Sequence, residues 1–339
     1  MSQSELKSFN RRRFMAGTTA LGTASILGWP EISRAEPPPE VKKIRLVYDN
    51  AVCIAPQYLA EEFLYLEGFT KVEWIKLPTS NALANVDSGA ADMTMDATPA
   101  MVYALDRGAR FVILGGIHAG CYELFAHDGI QNVRDLKGKR VSVYDVLGGS
   151  DHVLISSMLA YVGIDPNSVT WVPDDKLGNA MQRFIDHKVD AFMAFAPHPQ
   201  ELRARKIGHV ILNTTEDRPW SQYFCCAVVA NHDFVTHHPV ATKRALRAYL
   251  KAADVCSKEP ERVARYLVAK GFEPRYEIGL EVIKSLPYAR WRDSNPEDTI
   301  RFHALRLHEV GMIKTQPNKL IAQGTDWRFL NQIKKELKA

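Results

Sequence analysis

Apolar positions along this chain alternate, run unbroken, or recur every three to four residues, and the changes from one habit to another mark out its elements. Lys43 to Asn50 alternates as a strand should, and Pro56-Gln-Tyr-Leu-Ala-Glu-Glu-Phe-Leu then carries helical periodicity with a proline near its start. Val72 to Leu77 reads as a second strand, Pro78 to Asn81 as a polar turn, and Asp92 to Met95 as a third strand. Pro99 to Arg107 makes a helix and Phe111 to Leu114 a fourth strand. Tyr122 to Ala126 is an apolar strand closed by His127-Asp-Gly129, and a short helix then precedes Arg140 to Tyr144, the first strand of a new sheet. A periodic helix through Leu154, Met158, Leu159 and Val162 leads to the strand Val169 to Val172. Beyond the long apolar run Trp220 to Ala230 the pattern is helical: His238 to Lys258, Pro260 to Ala269, Tyr276 to Leu286, Pro296 to Val310 and Asp326 to Lys338. Strands separated by helices of this length call for an α/β architecture of parallel, doubly wound sheets.

One stretch repeats. Asp92-Met-Thr-Met-Asp-Ala-Thr-Pro99 is echoed by Asp190-Ala-Phe-Met-Ala-Phe-Ala-Pro197, each an Asp, a buried apolar run, and a Pro seven positions on where a helix can begin. A helix-like segment precedes each copy, Asn81 to Ser88 and Asn179 to His187. The echo predicts two lobes built alike; two ordinary βα turns would produce the same residues. The helical tail is expected to return over the first lobe, so the chain crosses between lobes near Leu124 to His127 and near Phe224 to Ala227, making a hinge. The predicted division is 41–124 with 227–339 as one lobe and 125–226 as the other.

Residues 1–35 read as an address rather than structure. Adjacent arginines in Asn10-Arg-Arg-Arg-Phe-Met15 precede a mildly apolar stretch from Ala16 to Trp29, and Ser33-Arg34-Ala35 offers small residues at the positions a signal peptidase reads. The pattern is that of a twin-arginine export signal cleaved near Ala35, which sends the folded chain to the periplasm through the twin-arginine export machinery. Without Lys7, Arg11, Arg12, Arg13 and Arg34, and without Glu5 and Glu31, the formal charge falls from +4 to about +1. The basicity belongs mostly to the leader, and no Lys/Arg cluster interleaved with aromatics marks a nucleic-acid surface. The cysteines, Cys53, Cys121, Cys225, Cys226 and Cys256, are odd in number and scattered, with no zinc-site spacing. Cys53 and Cys121 could pair as a disulfide, or all could be small buried apolar residues. No metal or cofactor is expected.

The order of elements resembles the type II periplasmic solute-binding proteins of ABC importers, in the branch that binds aliphatic sulfonates, taurine, nitrate or thiamine-pyrimidine precursors. The resemblance is carried by Gly89-Ala-Ala-Asp-Met93, Gly115-Gly116, Asp135-Leu-Lys-Gly-Lys-Arg-Val141, Gly148-Gly-Ser150 and Val189-Asp-Ala191, and spans about Lys43 to Gln323. It implies two mainly parallel sheets flanked by helices, a helical C-terminal extension, and a monomer that delivers a small organic solute to a permease and its ATPase.

In open α/β sheets ligands bind beyond the carboxyl ends of the strands, and two such sheets facing across a hinge form a cleft that can close. The expected ligand contacts are therefore Asn50, Thr79, Ser80, Asp96, Thr98, Ser150, Asp151, His152, Phe195, His198, Tyr223 and Phe224. Each has a plainer use: Ser150 as an N-cap, Thr79 and Ser80 as helix leads, the histidines as surface polar groups, the aromatics as core. Asp96 opposes an anion and favours an amine, a hydroxyl or a ring N–H. No arginine stands in a predicted strand-end loop, so a bare sulfonate or nitrate lacks its strongest bidentate donor and a partly aromatic or heterocyclic solute fits better. Two rivals stand beside transport: an enzyme like the thiamine-pyrimidine synthase of this fold class, of whose cysteine-rich iron-binding segment only Cys225-Cys226 is present, and a sensor that passes its closed state to a membrane partner.

Overall fold

The computed structural model describes residues 36–49, 51–76, 81–144, 146–174 and 179–338. The expected export leader and its cleavage point lie outside these residues. Among the described residues, ten strands form two five-stranded sheets flanked by helices. In the first, β1 (Lys43–Tyr48), β2 (Lys71–Lys76), β3 (Met93–Ala97), β4 (Phe111–Ala119) and β10 (Phe224–Asn231) lie in the order β2-β1-β3-β10-β4. In the second, β5 (Tyr122–Ala126), β6 (Arg140–Val143), β7 (Thr170–Pro173), β8 (Ala191–Phe195) and β9 (His209–Asn213) lie in the order β7-β6-β8-β5-β9. Each sheet has a parallel half, β2-β1-β3 or β7-β6-β8, completed by an antiparallel strand that came across from the other lobe.

The predicted echo is physical. Asp92 precedes β3 and Asp190 precedes β8, and each carboxylate binds an arginine in the first half of the neighbouring strand. Asp92 Oδ2 accepts the Arg45 backbone N–H at 2.7 Å while the Arg45 guanidinium grips the same carboxylate. Asp190 Oδ2 accepts the Arg140 N–H at 2.8 Å, with the Arg140 guanidinium at 2.7 Å from Oδ1. Each Asp N–H donates back to the same arginine's carbonyl at 2.8 Å.

Burial explains why the strands read as they do. All nine residues of β4 and all eight of β10 are buried, hence the unbroken apolar runs, whereas the edge strands β2 and β7 are half-exposed and mixed. The tail returns over the first lobe as expected: helix Pro239–Lys258 packs on helix Ala55–Leu66, and helix Pro296–Glu309 packs on helix Thr98–Asp106. Helix Pro317–Gly324, which the apolar pattern did not announce, seats Gly324 against Leu105.

The crossings fall slightly earlier than expected. Tyr122–Ala126 belongs wholly to the second sheet and Phe224–Asn231 wholly to the first, so the chain changes lobes at Gly120-Cys121 and again between Asn213 and Phe224. Apolar patterning locates a strand and not the sheet it joins, which accounts for the offset. The two crossings touch: Gly120 takes φ +74°, and a Cβ there would lie 2.6 Å from the Thr215 Cα. Only glycine fits so close a backbone approach.

Candidate functional site

A cavity of about 880 Å³ opens between the two sheets, within the range that holds a small organic ligand. The first lobe contributes Asp49 after β1, Met95, Asp96 and Ala97 at the end of β3, and Cys53 and Cys226. The second contributes Tyr122 at the start of β5, Tyr144 after β6, the Gly148-Gly-Ser150 turn, and Phe195, Pro197 and His198 after β8. Strand direction explains the convergence: the parallel strands present their carboxyl ends here, and antiparallel β5 presents its amino end.

Asp96 faces this space from the first lobe and is bonded across it. The Ser150 hydroxyl donates to Asp96 Oδ1 at 3.1 Å, and the Ala97 N–H donates to the same oxygen at 2.6 Å. Burial pushes the Asp96 carboxyl up to about 7, helped by the charge of Asp49 and opposed by those two hydrogen bonds. At neutral pH it exists in both protonation states and can accept from, or donate to, a solute.

Helix Ser150–Tyr161 begins at Gly149, whose backbone caps it with no side-chain bond. The expected N-cap use of Ser150 is therefore replaced by the cross-cleft bond. Gly148 takes φ +101°, and a Cβ there would meet Tyr103 at 2.7 Å, so the turn lies tight against the opposite wall. Asp151 lines the cavity while its Oδ2 accepts the Tyr144 backbone N–H at 2.6 Å, which holds the main chain at Tyr144. Burial holds His198 below its ordinary pKa and keeps the Tyr144 phenol protonated, and Tyr144 Oη and His198 Nδ1 share a hydrogen bond of 2.7 Å. Phe195 packs against both rings. Together they form an aromatic wall with polar edges.

Of the expected contacts, Asp96, Ser150, Asp151, Phe195 and His198 line the cavity. Asn50, Thr79 and Ser80 lie outside the described residues. Four others are used elsewhere. The Thr98 hydroxyl donates to the Phe224 carbonyl at 2.7 Å, tying the helix start to β10. His152 Nδ1 accepts the Gly148 N–H at 3.0 Å and its ring meets the edge of Trp171; burial lowers it to about 4, so it shapes the glycine turn as a neutral ring. Tyr223 stacks on Phe302 at 4.1 Å, and the buried Phe224 ring lies over Gly116. Strand-end position alone did not distinguish these from residues that face the cleft.

Tyr103, Tyr122, Tyr144, Cys53, Cys226, Arg107, Glu273 and Arg275 line the cavity without having been expected. Tyr144 closes a predicted strand and was within reach of the same reasoning. Arg275 arrives from the returning tail, far away in sequence, and pairs with Glu273 at 2.9 Å and, across the lobes, with Glu201 at 2.6 Å. Arg107 lies over the Tyr103 ring at 4.3 Å. The cleft thus contains two arginines, one of them engaged by two carboxylates, against Asp49, Asp87, Asp96, Asp151 and Glu273.

The cysteines do not form the disulfide considered above. All five thiols are free, and Cys121 Sγ lies 2.9 Å from Cys225 Sγ. Cys226 is held below its ordinary pKa by the hydrogen bond from Cys121, whose own thiol is pushed up by burial.

Residues 57–263 match the family described as "NMT1/THI5 like". A candidate binding protein of Brucella abortus (strain 2308) is 25% identical over 139 residues, 41% of this chain and 43% of that protein, so this chain spans less than half the length of the curated relatives it matches. Among solved structures, the alkanesulfonate-binding protein SsuA from Xanthomonas axonopodis pv. citri bound to MOPS aligns at TM-score 0.70 and 18% identity, over 86% of this chain and 99% of that one. The periplasmic nitrate-binding protein NrtA from Synechocystis PCC 6803 aligns at TM-score 0.72 and 17% identity, over 88% and 90%. These structures share the two-lobed periplasmic-binding-protein fold.

Proposed function

Because this chain belongs to the NMT1/THI5-like family, we propose that it is an exported solute-binding protein that captures a small organic molecule between its lobes. In this reading the twin-arginine leader delivers the folded chain to the periplasm, where the monomer hands its cargo to an ABC permease and its ATPase and performs no chemistry of its own. The observation that carries the reading is the Asp96–Ser150 pair, a carboxyl on one lobe and a hydroxyl on the other meeting in the cavity. A solute that bonds both would stabilise lobe closure by its differential affinity for the closed form.

The ligand class follows from charge. Sulfonate and nitrate, named for the structural neighbours, are anions, whereas this cleft is dominated by carboxyl groups and its Arg275 is engaged by Glu273 and Glu201. An amine or ring N–H facing Asp96, with a flat ring against Tyr144 and Phe195, suits it better.

The test is a thermal-shift screen of the purified chain against sulfonates, aromatic carboxylates, pyrimidines and flavins. A ligand at a hundred times its dissociation constant adds about 2.7 kcal/mol to stability. A nitrogen heterocycle should raise the melting temperature, and Asp96→Asn should weaken its binding by about tenfold or more, the loss of a charge-assisted hydrogen bond. A shift with sulfonates alone, unchanged in Asp96→Asn, would overturn the ligand class. Iron in the purified protein with no shift for any class would favour the synthase reading.

A further inference from the structure

Four buried side chains beneath the cleft come from parts of the chain that share no spacing motif. Cys53 lies in the 3-10 turn Val52–Ile54, His118 near the end of β4, Cys121 in the first crossing, and Cys226 in β10 just after the second. The sulfurs of Cys53, Cys121 and Cys226 all lie within 4.8 Å of one another, and Cys121 and Cys226 are 4.0 Å apart. A tetrahedral ion with metal–sulfur bonds of about 2.3 Å sets its sulfurs about 3.8 Å apart, so small side-chain movements would complete the set.

His118 supplies a second, independent observation. It is fully buried and is the direct cross-strand partner of Cys226. Its Nδ1 lies 3.4 Å from the Ala119 carbonyl, while its Nε2 is buried with no hydrogen-bond partner among the described residues. A proton on Nδ1 directed to a carbonyl leaves Nε2 a lone pair, the usual arrangement of a metal-ligating histidine. The β4–β10 ladder shifts register on both sides of Cys226, and such bulges re-aim side chains.

We propose that Cys53, Cys121, Cys226 and His118 bind one thiophilic d10 cation as a closed, four-ligand site. Three thiolates and an imidazole suit zinc(II) and copper(I) alike. Zinc leaves one net negative charge on the buried set and copper(I) leaves two, so zinc is the first choice. Binding releases the three thiol protons to solvent and changes no oxidation state. The ion would tie the first crossing to β4, β10 and the turn after β1 at the floor of the cleft. With all four positions filled by protein atoms the ion keeps no open position for the cargo, although Cys53 and Cys226 also line the cavity.

The experiment uses the full chain purified under reducing conditions without chelator or a metal-affinity column. Elemental analysis should find about one zinc or copper per chain, and cobalt(II) exchanged into the site should show thiolate-to-metal charge-transfer absorption. His118→Gln and Cys226→Ser should lose the ion, while Cys225→Ser and Cys256→Ser keep it. If Cys226→Ser fails to fold, the cobalt spectrum of His118→Gln, altered while that of Cys225→Ser is unchanged, decides the same point. A thiol count on the denatured chain should recover all five cysteines. Iron in place of zinc or copper, a Cys121–Cys225 disulfide, or no uptake of added zinc or cobalt would each overturn the proposal.

Discussion

A Cβ on Gly116 would stand 2.3 Å from the Phe224 ring, so the β10–β4 ladder of the first sheet is packed through the absence of a side chain. Gly116→Ala should cost about 1–3 kcal/mol, the usual range for overpacking a full core, and urea unfolding would measure it. His303 makes a different kind of residue-scale prediction. It is buried on the helix that packs against Ser150–Tyr161, has its Nδ1 3.3 Å from the Ser157 hydroxyl, and is lowered by burial from 6.5 to about 3. Its contribution is complete above pH 6.5 and declines as pH falls towards 3, because the unfolded chain binds the proton first. At pH 5 the loss is about 2 kcal/mol. Urea midpoints should fall between pH 7 and pH 5, and His303→Leu should flatten that part of the dependence.

At the scale of elements, one bond is made twice in different surroundings. The Asp92 side chain is 7% exposed and the Asp190 side chain 29%, although each grips an arginine in the first half of the neighbouring strand. Removing a partner from a buried pair costs more than removing one that water can replace. Asp92→Ala should therefore destabilise by about 3 kcal/mol or more, against about 1 kcal/mol for Asp190→Ala. Equal losses in paired denaturation curves would show that burial does not set the difference. The repeat was legible because both copies keep the Asp, the apolar strand and the Pro in the same order. The use of the Asp was not, since its partners, Arg45 and Arg140, sit on other strands.

Across the whole molecule, the sequence disclosed strands, helices and two lobes because burial dictates apolar period. Cleft residues were legible where they followed a parallel strand, as with Asp96, Ser150 and His198. Tyr122 escaped because it opens an antiparallel strand, and a rule about carboxyl ends looks at the wrong end of it. Arg275 escaped because only the return of the tail brings it to the cleft. Of the cysteine cluster the sequence suggested only the nearness of Cys53 and Cys121, because no local spacing encodes the meeting of the rest.

The exchanged strands also set an order of assembly. Every strand of the second sheet lies between Tyr122 and Asn213, whereas the first sheet lacks β10, the strand between β3 and β4, until Phe224–Asn231 has been made. On the ribosome, the half of the protein that is synthesised first must wait, open at an apolar edge, while the later half completes itself. Chains stalled with residues up to about 215 exposed should protect 122–213 from protease and leave 41–119 cleavable. The reverse pattern would mean that β4 finds another partner in the interval.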